Sequence, residues 1–330
     1  MEDKKFSKDI LIIDAEKEFE NVTKRLRSFL ANQFKRRGLI VALSGGIDSS
    51  VTTALCAKAL GPDRVLALLM PEQHSSSDTL ELSNLVADHF GVNKVHEDIS
   101  NILQSVGFYK RYDEAVRMVI PEYGNGWKSK IVTPNIMETK SFNLFSIVAQ
   151  SPDNTTIKKR LHLRAYLEIV AATNFKQRIR KTLEYYHADR LNFAVTGTPN
   201  RLEYDQGFFV KLGDGAADVK PIAHLYKTQV YQLAEYLGVP KRIRMRPPTT
   251  DTYSLSQGQD EFYFSLPYDQ MDLCLYGKNT GISVEIVAEY LDLKQDQVQR
   301  VYDDIDTKRL TTRYLHLPPL LVEDIPEIAK

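Results

Sequence analysis

One short stretch, SGGIDSS at residues 44–50, contains the residue types that bind an anion together with a cation. It follows the apolar run LIVAL at 39–43, which is typical of a buried strand. The two glycines let the backbone approach a ligand closely, and a helix that begins at about Asp48 points its first N–H groups into the same space. Mg²⁺ bridging Asp48 and phosphate oxygens would explain a carboxylate at an anion site. With the hydroxyl groups of Ser44 and Ser49, the loop predicts a site for Mg²⁺ and pyrophosphate.

Two better-known phosphate-binding motifs do not match this loop. A Walker A loop requires GxxxxGK[ST], and no lysine follows the glycines here. The dinucleotide fingerprint GxGxxG is also missing from the loop. The remaining alternative is a glycine-rich turn that binds nothing. Because that alternative does not explain the aspartate and its flanking serines, pyrophosphate binding is favoured.

A second polar block, residues 197–238, follows another predicted strand. In a doubly wound sheet, ligands bind beyond the carboxyl ends of the strands, so this block should face the same crevice as Asp48. Glu203 is a candidate for the second Mg²⁺ carboxylate, and Lys227, at the start of a predicted helix, is a candidate phosphate contact.

The alternative for this block is a solvated loop with ordinary surface charges. The segment GFFVKLGDGAAD argues against that alternative, because it places Phe208 and Phe209 in a glycine-rich loop. Exposed aromatic side chains of this kind suggest packing around a ligand or a partner subunit.

The segments that should position these residues alternate between strands and helices. Short apolar runs predict buried parallel strands, and apolar residues recur at helical spacing between them. The predicted strands are 39–43, 64–70, 94–99, 192–196 and 218–222, and the predicted helices span about 14–37, 48–60, 77–90, 156–188 and 225–238. This alternation is typical of an α/β fold with a doubly wound, parallel, five-stranded sheet.

Two regions do not follow the alternation. Residues 107–155 contain several prolines and glycines and show poor periodicity, which predicts a long, irregular insertion. Its aromatic residues indicate either a lid over the site or a subunit interface. Residues 250–330 are expected to form a small C-terminal helical appendix, with helices near 284–292 and 295–304. The whole chain, 1–330, is interpreted as one domain with these two additions.

Composition and charge argue against several classes of protein. Lys plus Arg and Asp plus Glu each number 43, so no net positive charge indicates a nucleic-acid partner. No apolar run is long enough to span a membrane, and the N-terminus lacks the apolar core of a signal peptide. Two cysteines, Cys56 and Cys274, are too few for a disulfide framework, and both are expected to pack within helices. A cytoplasmic protein with neither a nucleic acid nor a membrane as partner is therefore predicted.

The loop SGGIDSS resembles the pyrophosphatase loop of the N-type ATP pyrophosphatases, and the second block narrows this resemblance to one family. GTPNRLE, GFFVKLGDGAAD and LYKTQ occur in the order that is typical of the ammonia-dependent NAD synthetase family. Further matches are NFKQRIR, the dipeptide Pro248-Thr249, and the segments YD and GK within residues 268–278. The resemblance covers about residues 36–100 and 172–320.

This resemblance implies an adenine nucleotide α-hydrolase-like fold, ATP as a substrate and Mg²⁺ as the metal ion. It also implies that ammonia is joined to the carboxylate of nicotinic acid adenine dinucleotide (deamido-NAD) through an acyl-adenylate, giving NAD, AMP and pyrophosphate. The residues implied to bind ATP are Ser44, Gly45, Gly46, Asp48, Ser49, Thr198, Lys227 and Thr249. The residues implied to bind deamido-NAD are Arg178, Lys211 and Asp218, the metal ligands are Asp48 and Glu203, and the catalytic residues are Asp48, Lys227 and Asp218.

The resemblance implies a homodimer with the dinucleotide site near the interface, and it leaves Arg178 and Arg180 as alternative substrate contacts. A glutaminase needs a nucleophilic cysteine, and neither cysteine suits that role, so ammonia is expected to arrive free or from a separate glutaminase partner. The stretch TTRYLHLPP at 311–319 lacks the His-Lys pair of the family, and Arg313 and His316 are candidates to replace it. Two alternatives stay open: an amide ligase that acts on another carboxylate, and a catalytically silent nucleotide-binding paralogue.

Overall fold

The computed structural model describes residues 6–133, 145–247, 253–255, 263–264 and 266–328. The helices of this described part are α1 (Ala15–Ser28), α2 (Ile47–Leu60), α3 (Ser77–Phe90), α4 (Ser100–Ser105), α5 (Phe108–Arg117), α6 (Leu163–Leu191), α7 (Arg201–Gln206), α8 (Lys227–Leu237), α9 (Lys241–Arg244), α10 (Tyr268–Thr280), α11 (Val284–Leu291) and α12 (Gln295–His316). The strands are β1 (Leu39–Ala42), β2 (Val65–Leu69), β3 (Asn93–His96), β4 (Lys128–Val132), β5 (Ser146–Gln150), β6 (Thr156–Arg160) and β7 (Ala194–Thr196).

A parallel sheet in the order β3-β2-β1-β7 forms the centre of the molecule. Successive side chains of a strand point to opposite faces, so Leu39 and Val41 pack with α1, α2, α3 and α8, whereas Ile40 packs with α5 and α6. Helices therefore cover both faces, which is why β1 is apolar throughout. The predicted α/β fold with a parallel sheet is confirmed.

The sheet has four strands in the described part of the chain, one fewer than predicted. Residues 218–222 contribute a single parallel bridge, between Thr196 and Val219. The Gly197 N–H donates to the Val219 carbonyl at 2.8 Å, but Pro221 has no N–H with which the ladder could continue. The sequence pattern of residues 218–222 thus indicates that this segment lies beside β7, but it does not predict that the pairing is limited to one bridge.

The region 107–155 is more regular than its weak periodicity predicts. It contains α5 and two strands, and these strands join β6 in an antiparallel sheet with the order β4-β5-β6. Tyr112 and Tyr123 are buried, and their hydroxyl groups lie 2.9 and 3.0 Å from the Ser129 hydroxyl. These aromatic side chains form a core between the inserted sheet and α6. Each element is short, which explains why periodicity alone missed them.

Helix α6 connects the two sheets. It has 29 residues, which corresponds to about 43 Å at 1.5 Å per residue. The predicted helix at 156–188 overlaps it, but the first residues of that prediction belong to β6. The parallel strands are much shorter than α6, so its N-terminal half extends beyond their carboxyl ends and lies beside the inserted sheet.

The C-terminal helices α10, α11 and α12 share a core with residues from the rest of the chain, including Phe6, Leu202 and Tyr226. The Asp272 carboxylate on α10 accepts the backbone N–H groups of Lys227 at 3.1 Å and Thr228 at 2.7 Å. It thereby caps the N-terminus of α8 from another helix. The predicted boundaries of the insertion and the C-terminal appendix as separate units stay a prediction.

Both cysteines lie in helices, as expected from their apolar neighbours. Cys56 on α2 and Cys274 on α10 are fully buried, and this burial raises the pKa of each thiol to about 12. Such thiols are poor nucleophiles because the thiolate is the reactive form. No helix in the described part of the chain is both long and apolar enough to cross a membrane.

The Asp272 cap should make stability depend on pH. Burial raises the pKa of Asp272 from 3.8 to about 7, although the hydrogen bonds from Thr228 and Lys227 oppose this rise. The folded chain therefore binds the Asp272 proton more tightly than the unfolded chain, and ionisation of Asp272 costs stability as the pH rises through this interval. We expect the free energy of unfolding of wild type, minus that of Asp272→Asn, to fall between pH 3.8 and about 7 and to level off above. Urea unfolding of both proteins across this range measures the difference, and parallel pH curves would contradict the prediction.

Candidate active site

The loop after β1 adopts a conformation that requires its first glycine. Gly45 has a φ of +71°, and a Cβ atom there would lie 2.7 Å from the Cβ of Leu82. Both the backbone angle and the space therefore exclude a larger residue. The Ser44 and Ser49 hydroxyl oxygens are 3.2 Å apart, and Ser49 donates to the Gly46 carbonyl at 3.1 Å. These contacts hold the loop so that the first N–H groups of α2 face the carboxyl edge of the sheet.

The loop and the segment after β7 meet where the strand order changes direction. The chain passes from β1 outward to β3 and then returns to β7 on the other side of β1. Such a switch point leaves a crevice at the carboxyl ends of the strands, and ligands of open α/β sheets bind there. Asp48 from the loop and Asn200 from the segment after β7 are hydrogen-bonded across this crevice, with Asn200 Nδ2 donating to Asp48 Oδ1 at 3.1 Å.

Asp48 also forms a largely buried ion pair with Lys227, the first residue of α8. Lys227 Nζ lies 2.5 Å from Asp48 Oδ2, and the two side chains are 2% and 16% exposed, respectively. Burial alone would lower the pKa of Lys227, but the carboxylates of Asp48 and Glu203 outweigh it and raise the pKa. Lys227 is thus a fixed cation at the base of the crevice.

Glu203 contacts the same asparagine as Asp48. Asn200 and Glu203 form a capping box at the start of α7: the Asn200 N–H donates to Glu203 Oε2, and the Glu203 N–H donates to Asn200 Oδ1, each at 3.2 Å. Asp48 and Glu203 both contact Asn200 and both raise the pKa of Lys227. Two such carboxylates, together with phosphate oxygens, suit the preference of Mg²⁺ for oxygen ligands. Asp48 and Glu203 would hold this ion with the phosphates of a nucleotide.

A cavity of about 1380 Å³ opens above the crevice. Its size accommodates a nucleotide and a second substrate of similar size. The predicted site residues that line it are Ser44, Gly46, Asp48, Ser49, Arg178, Thr198, Glu203 and Lys211. Gly45 lies within the same loop, and Lys227 reaches the cavity through its pair with Asp48. Thr249 lies outside the described residues.

Asp218 is placed differently from the other predicted site residues. It is exposed, and within the described structure it does not belong to the cavity lining. Its carboxylate accepts the Val195 N–H at 2.7 Å and the Tyr185 hydroxyl at 3.3 Å. In this arrangement Asp218 stabilises the backbone beside β7, and its implied catalytic role stays a prediction.

Arg178 and Lys211 are close to the end of α12. Arg178 Nε donates to the Lys211 carbonyl at 3.4 Å, and Lys211 Nζ donates to the carbonyls of Tyr314 at 2.8 Å and Leu317 at 2.9 Å. The stretch that contains the candidate replacements for the family's His-Lys pair therefore lies next to a predicted substrate contact. Arg180 also lines the cavity, and its Nε donates to the Met70 carbonyl at 3.2 Å.

Candidate residues Arg313 and His316 have different surroundings. Arg313 is exposed. The His316 ring packs edge-on against Tyr204 and Phe209, with ring centroids 4.9 and 5.1 Å apart. Phe208, next to Phe209, stacks on Tyr263 at 4.6 Å. The aromatic residues of the glycine-rich loop thus pack among other rings while lining the cavity.

Sequence reasoning missed two buried charges that line the cavity, Lys181 and Glu184. Burial raises the pKa of Asp214, which accepts the Val210 N–H at 2.7 Å, and also that of Glu184, although Lys181 lies 2.6 Å from Glu184. Lys181 and Glu184 belong to α6, and Asp214 and Val210 belong to the loop at 207–218. Asp214 belongs to the second polar block, which is expected from the sequence to face the crevice. Nothing in the helical pattern of α6 marks Lys181 and Glu184 as buried.

A second buried pair joins α6 to the segment after β2. Lys176 Nζ lies 2.7 Å from Glu72 Oε1, and both side chains are buried. The other Glu72 oxygen accepts the Tyr109 hydroxyl at 3.1 Å. Burial alone would raise the pKa of Glu72, but the Lys176 ammonium outweighs it and lowers the pKa. The pair fixes α6, and with it Arg178 and Arg180, against the parallel sheet.

The fold and the site together define an α/β protein with a glycine-containing loop at the switch point of its parallel sheet. The family model described as NAD synthase matches residues 18–120 and 128–313. The chain therefore belongs to the NAD synthase family.

Known proteins agree with this assignment. The curated NH(3)-dependent NAD(+) synthetase of Mesorhizobium japonicum is 55% identical over 96% of this chain and 100% of its own length. Two solved structures share the fold: the NMN synthetase of Francisella tularensis (TM-score 0.66, 19% identity, 94% of this chain and 99% of that one) and the NH3-dependent NAD synthetase of Campylobacter jejuni (TM-score 0.62, 21% identity, 94% and 100%). At these identities the two structures support the fold alone.

The Asp48–Lys227 pair should couple strongly in stability measurements. Asp48→Asn removes the carboxylate that is hydrogen-bonded to the buried Lys227 ammonium, so we expect it to lower the free energy of unfolding by about 3–5 kcal/mol. The double variant Asp48→Asn/Lys227→Met should lose less than the sum of the two single variants, because no lone charge remains. Chemical denaturation of the three variants and wild type completes the cycle. Additive losses would show that the two side chains do not interact energetically.

Proposed function

We propose that this chain catalyses the amidation of deamido-NAD with ammonia, driven by cleavage of ATP to AMP and pyrophosphate. Membership of the NAD synthase family and the name of the 55% identical relative support this activity. The observation that carries the proposal is the largely buried Asp48–Lys227 pair beneath the glycine loop, at the base of the cavity. An ATP-binding loop, a fixed cation and space for an acceptor are the parts that adenylation requires.

In the first step, a carboxylate oxygen of deamido-NAD attacks the α-phosphorus of ATP. A new O–P bond forms, the bond from the α-phosphorus to the bridging oxygen breaks, and pyrophosphate leaves. In this proposal the loop amides, the hydroxyl groups of Ser44 and Ser49, and Lys227 stabilise the charge that develops on pyrophosphate. The contact between the two serines and the Lys227–Asp48 pair support this role. Mg²⁺ held by Asp48 and Glu203 would add charge neutralisation.

In the second step, ammonia attacks the carbonyl carbon of the acyl-adenylate and AMP leaves. Ammonium must lose a proton before this attack, and the chain offers two aspartates from GDGAAD as acceptors. Asp214 lines the cavity and has a pKa raised by burial, whereas Asp218 is exposed and bonded to the Val195 N–H. A raised pKa makes a carboxylate a better base. We therefore favour Asp214 for this role and keep Asp218 as the second candidate.

The proposal includes a homodimer, as the family resemblance implies. Its support in this chain is the exposed apolar surface of α6, where Leu163 and Leu167 are 72% and 53% exposed. Apolar patches of this kind often mark subunit contacts. The cytoplasmic location and the separate glutaminase partner stay predictions.

Release of AMP and pyrophosphate tests the proposed function directly. With Mg²⁺-ATP and ammonium, we expect release only when deamido-NAD is present, together with formation of NAD. Asp48→Asn should reduce this release by at least about a hundredfold, because it removes a carboxylate from the metal site and the partner of Lys227. Release that is indifferent to deamido-NAD would favour an amide ligase with another acceptor, and ATP binding without release would favour a silent paralogue.

Glu203→Gln separates metal binding from folding. Glutamine serves at this position of a capping box as well as glutamate does, so α7 should keep its N-terminus. Mg²⁺ loses a charged ligand, and we expect the Mg²⁺ concentration for half-maximal activity to rise roughly tenfold or more. Titration of activity with Mg²⁺ at saturating ATP measures this change, with thermal unfolding as the control. An unchanged Mg²⁺ requirement would exclude Glu203 as a ligand.

A further inference from the structure

The inserted sheet contributes an aromatic wall to the cavity. Phe145, just before β5, stacks on Tyr166 in α6 with ring centroids 4.3 Å apart and planes inclined by 15°. Both rings line the cavity and both are only partly buried. We call this pair the Phe145–Tyr166 wall. A nearly parallel stack that still faces a cavity offers a flat apolar surface to a planar ligand.

A backbone hydrogen bond and buried side chains fix the position of the wall. The Leu161 N–H donates to the Phe145 carbonyl at 2.9 Å, which continues the pairing of β5 with β6. Tyr253 is buried within the same apolar core and also borders the cavity. Ile147 on β5 is fully buried in this core. Because both the backbone and the supporting side chains are fixed, the wall is preorganised and does not need to form when a ligand binds.

The length of helix α6 gives the distance between the Phe145–Tyr166 wall and the carboxyl edge of the parallel sheet, where the reaction is proposed to occur. Arg180 contacts the Met70 carbonyl, directly after β2, and so marks the carboxyl edge of the parallel sheet. Tyr166 precedes Arg180 by 14 residues, which places it about 21 Å farther along the helix axis. The wall therefore lies at the end of the cavity remote from the pyrophosphate-binding loop.

This distance determines which planar ring of the two substrates can stack on the wall. The carboxylate of deamido-NAD must approach the α-phosphorus of ATP, so the pyridine ring that carries it lies near the loop. The adenine ring of ATP is also tied to phosphates in the loop. The adenine at the other end of the dinucleotide is free to extend along α6, past Arg178, whose charge suits the phosphates between the two ends.

We propose that the Phe145–Tyr166 wall is a stacking subsite for the adenine ring of deamido-NAD, the ring remote from the reacting carboxylate. The proposal rests on the proposed function and deepens it, because it gives residues of the 107–155 insertion a part in substrate binding. Purine bases stack favourably on aromatic side chains and need no matched hydrogen bonds to do so.

Replacement of Phe145 tests the subsite. We expect Phe145→Ala to raise the KM for deamido-NAD roughly ten- to hundredfold, the range for loss of one base–aromatic stack. The KM for ATP and the kcat at saturating deamido-NAD should stay near the wild-type values, because the reacting ends are untouched. Phe145→Tyr keeps the ring and should retain the wild-type KM, whereas Phe145→Leu keeps the apolar character without the aromatic face and should resemble Phe145→Ala.

A truncated ligand provides the decisive comparison. Nicotinic acid mononucleotide lacks the adenylate half, so its affinity should be the same in wild type and Phe145→Ala. It can be measured as a competing substrate or as an inhibitor of deamido-NAD amidation. Tyr236→Ala is the control for removal of an aromatic ring elsewhere, because Tyr236 is 46% exposed on α8 and packs against Phe19, outside the cavity lining. Thermal unfolding checks that each variant folds.

Three results would overturn the proposal. An equal loss of affinity for the mononucleotide and the dinucleotide would mean that Phe145 only supports the cavity. A rise in the KM for ATP would assign the wall to the adenine of ATP, and an unchanged KM for deamido-NAD would show that the wall contacts no substrate. Failure of the proposed function appears elsewhere, as a wild-type enzyme that does not amidate deamido-NAD.

Discussion

The ion pair between Asp48 and Lys227 is the constraint on which the site depends. It joins the glycine loop to the start of α8, and Asp272 on α10 caps that same start through the Lys227 and Thr228 N–H groups. A buried lysine keeps its charge at low cost when a carboxylate compensates it. Loop, helix and C-terminal core must therefore come together before the site exists. Asn200 adds the segment after β7 to this arrangement.

Helix α6 likewise fixes the positions of the residues that are proposed to bind deamido-NAD. Its buried Lys176 is paired with Glu72 after β2, and its N-terminal turns pack against the inserted sheet. One rigid helix thus spans both sheets and lines the length of the cavity. The glycine loop at residues 44–50 and the inserted sheet are far apart in the chain, but α6 fixes the distance between them. This geometry allows a long substrate to be held at both ends.

Much of the fold, and the meeting of the glycine loop with the second polar block, could be predicted from local patterns. Short apolar runs identified β1, β2 and β7, and helical spacing identified α3 at its observed bounds. The region 107–155 could not be predicted, because α5 and strands of five residues are too short for periodicity to be distinctive. The prediction of a fifth strand at 218–222 was wrong for a different reason. Pro221 limits the pairing of this otherwise suitable segment to one bridge.

The sequence by itself determined the chemistry of the loop. A strand, two glycines and an aspartate at the start of a helix are contiguous, so their relative positions follow from local backbone geometry. Only the tertiary structure decided which distant charges join them. It brought Lys227 and Asn200 to Asp48, placed the partly buried Asp214 in the cavity lining and left Asp218 at the surface. Asp214 and Asp218 occur in one short motif, yet burial, which depends on the packing of α6 and the sheet, gives them different environments.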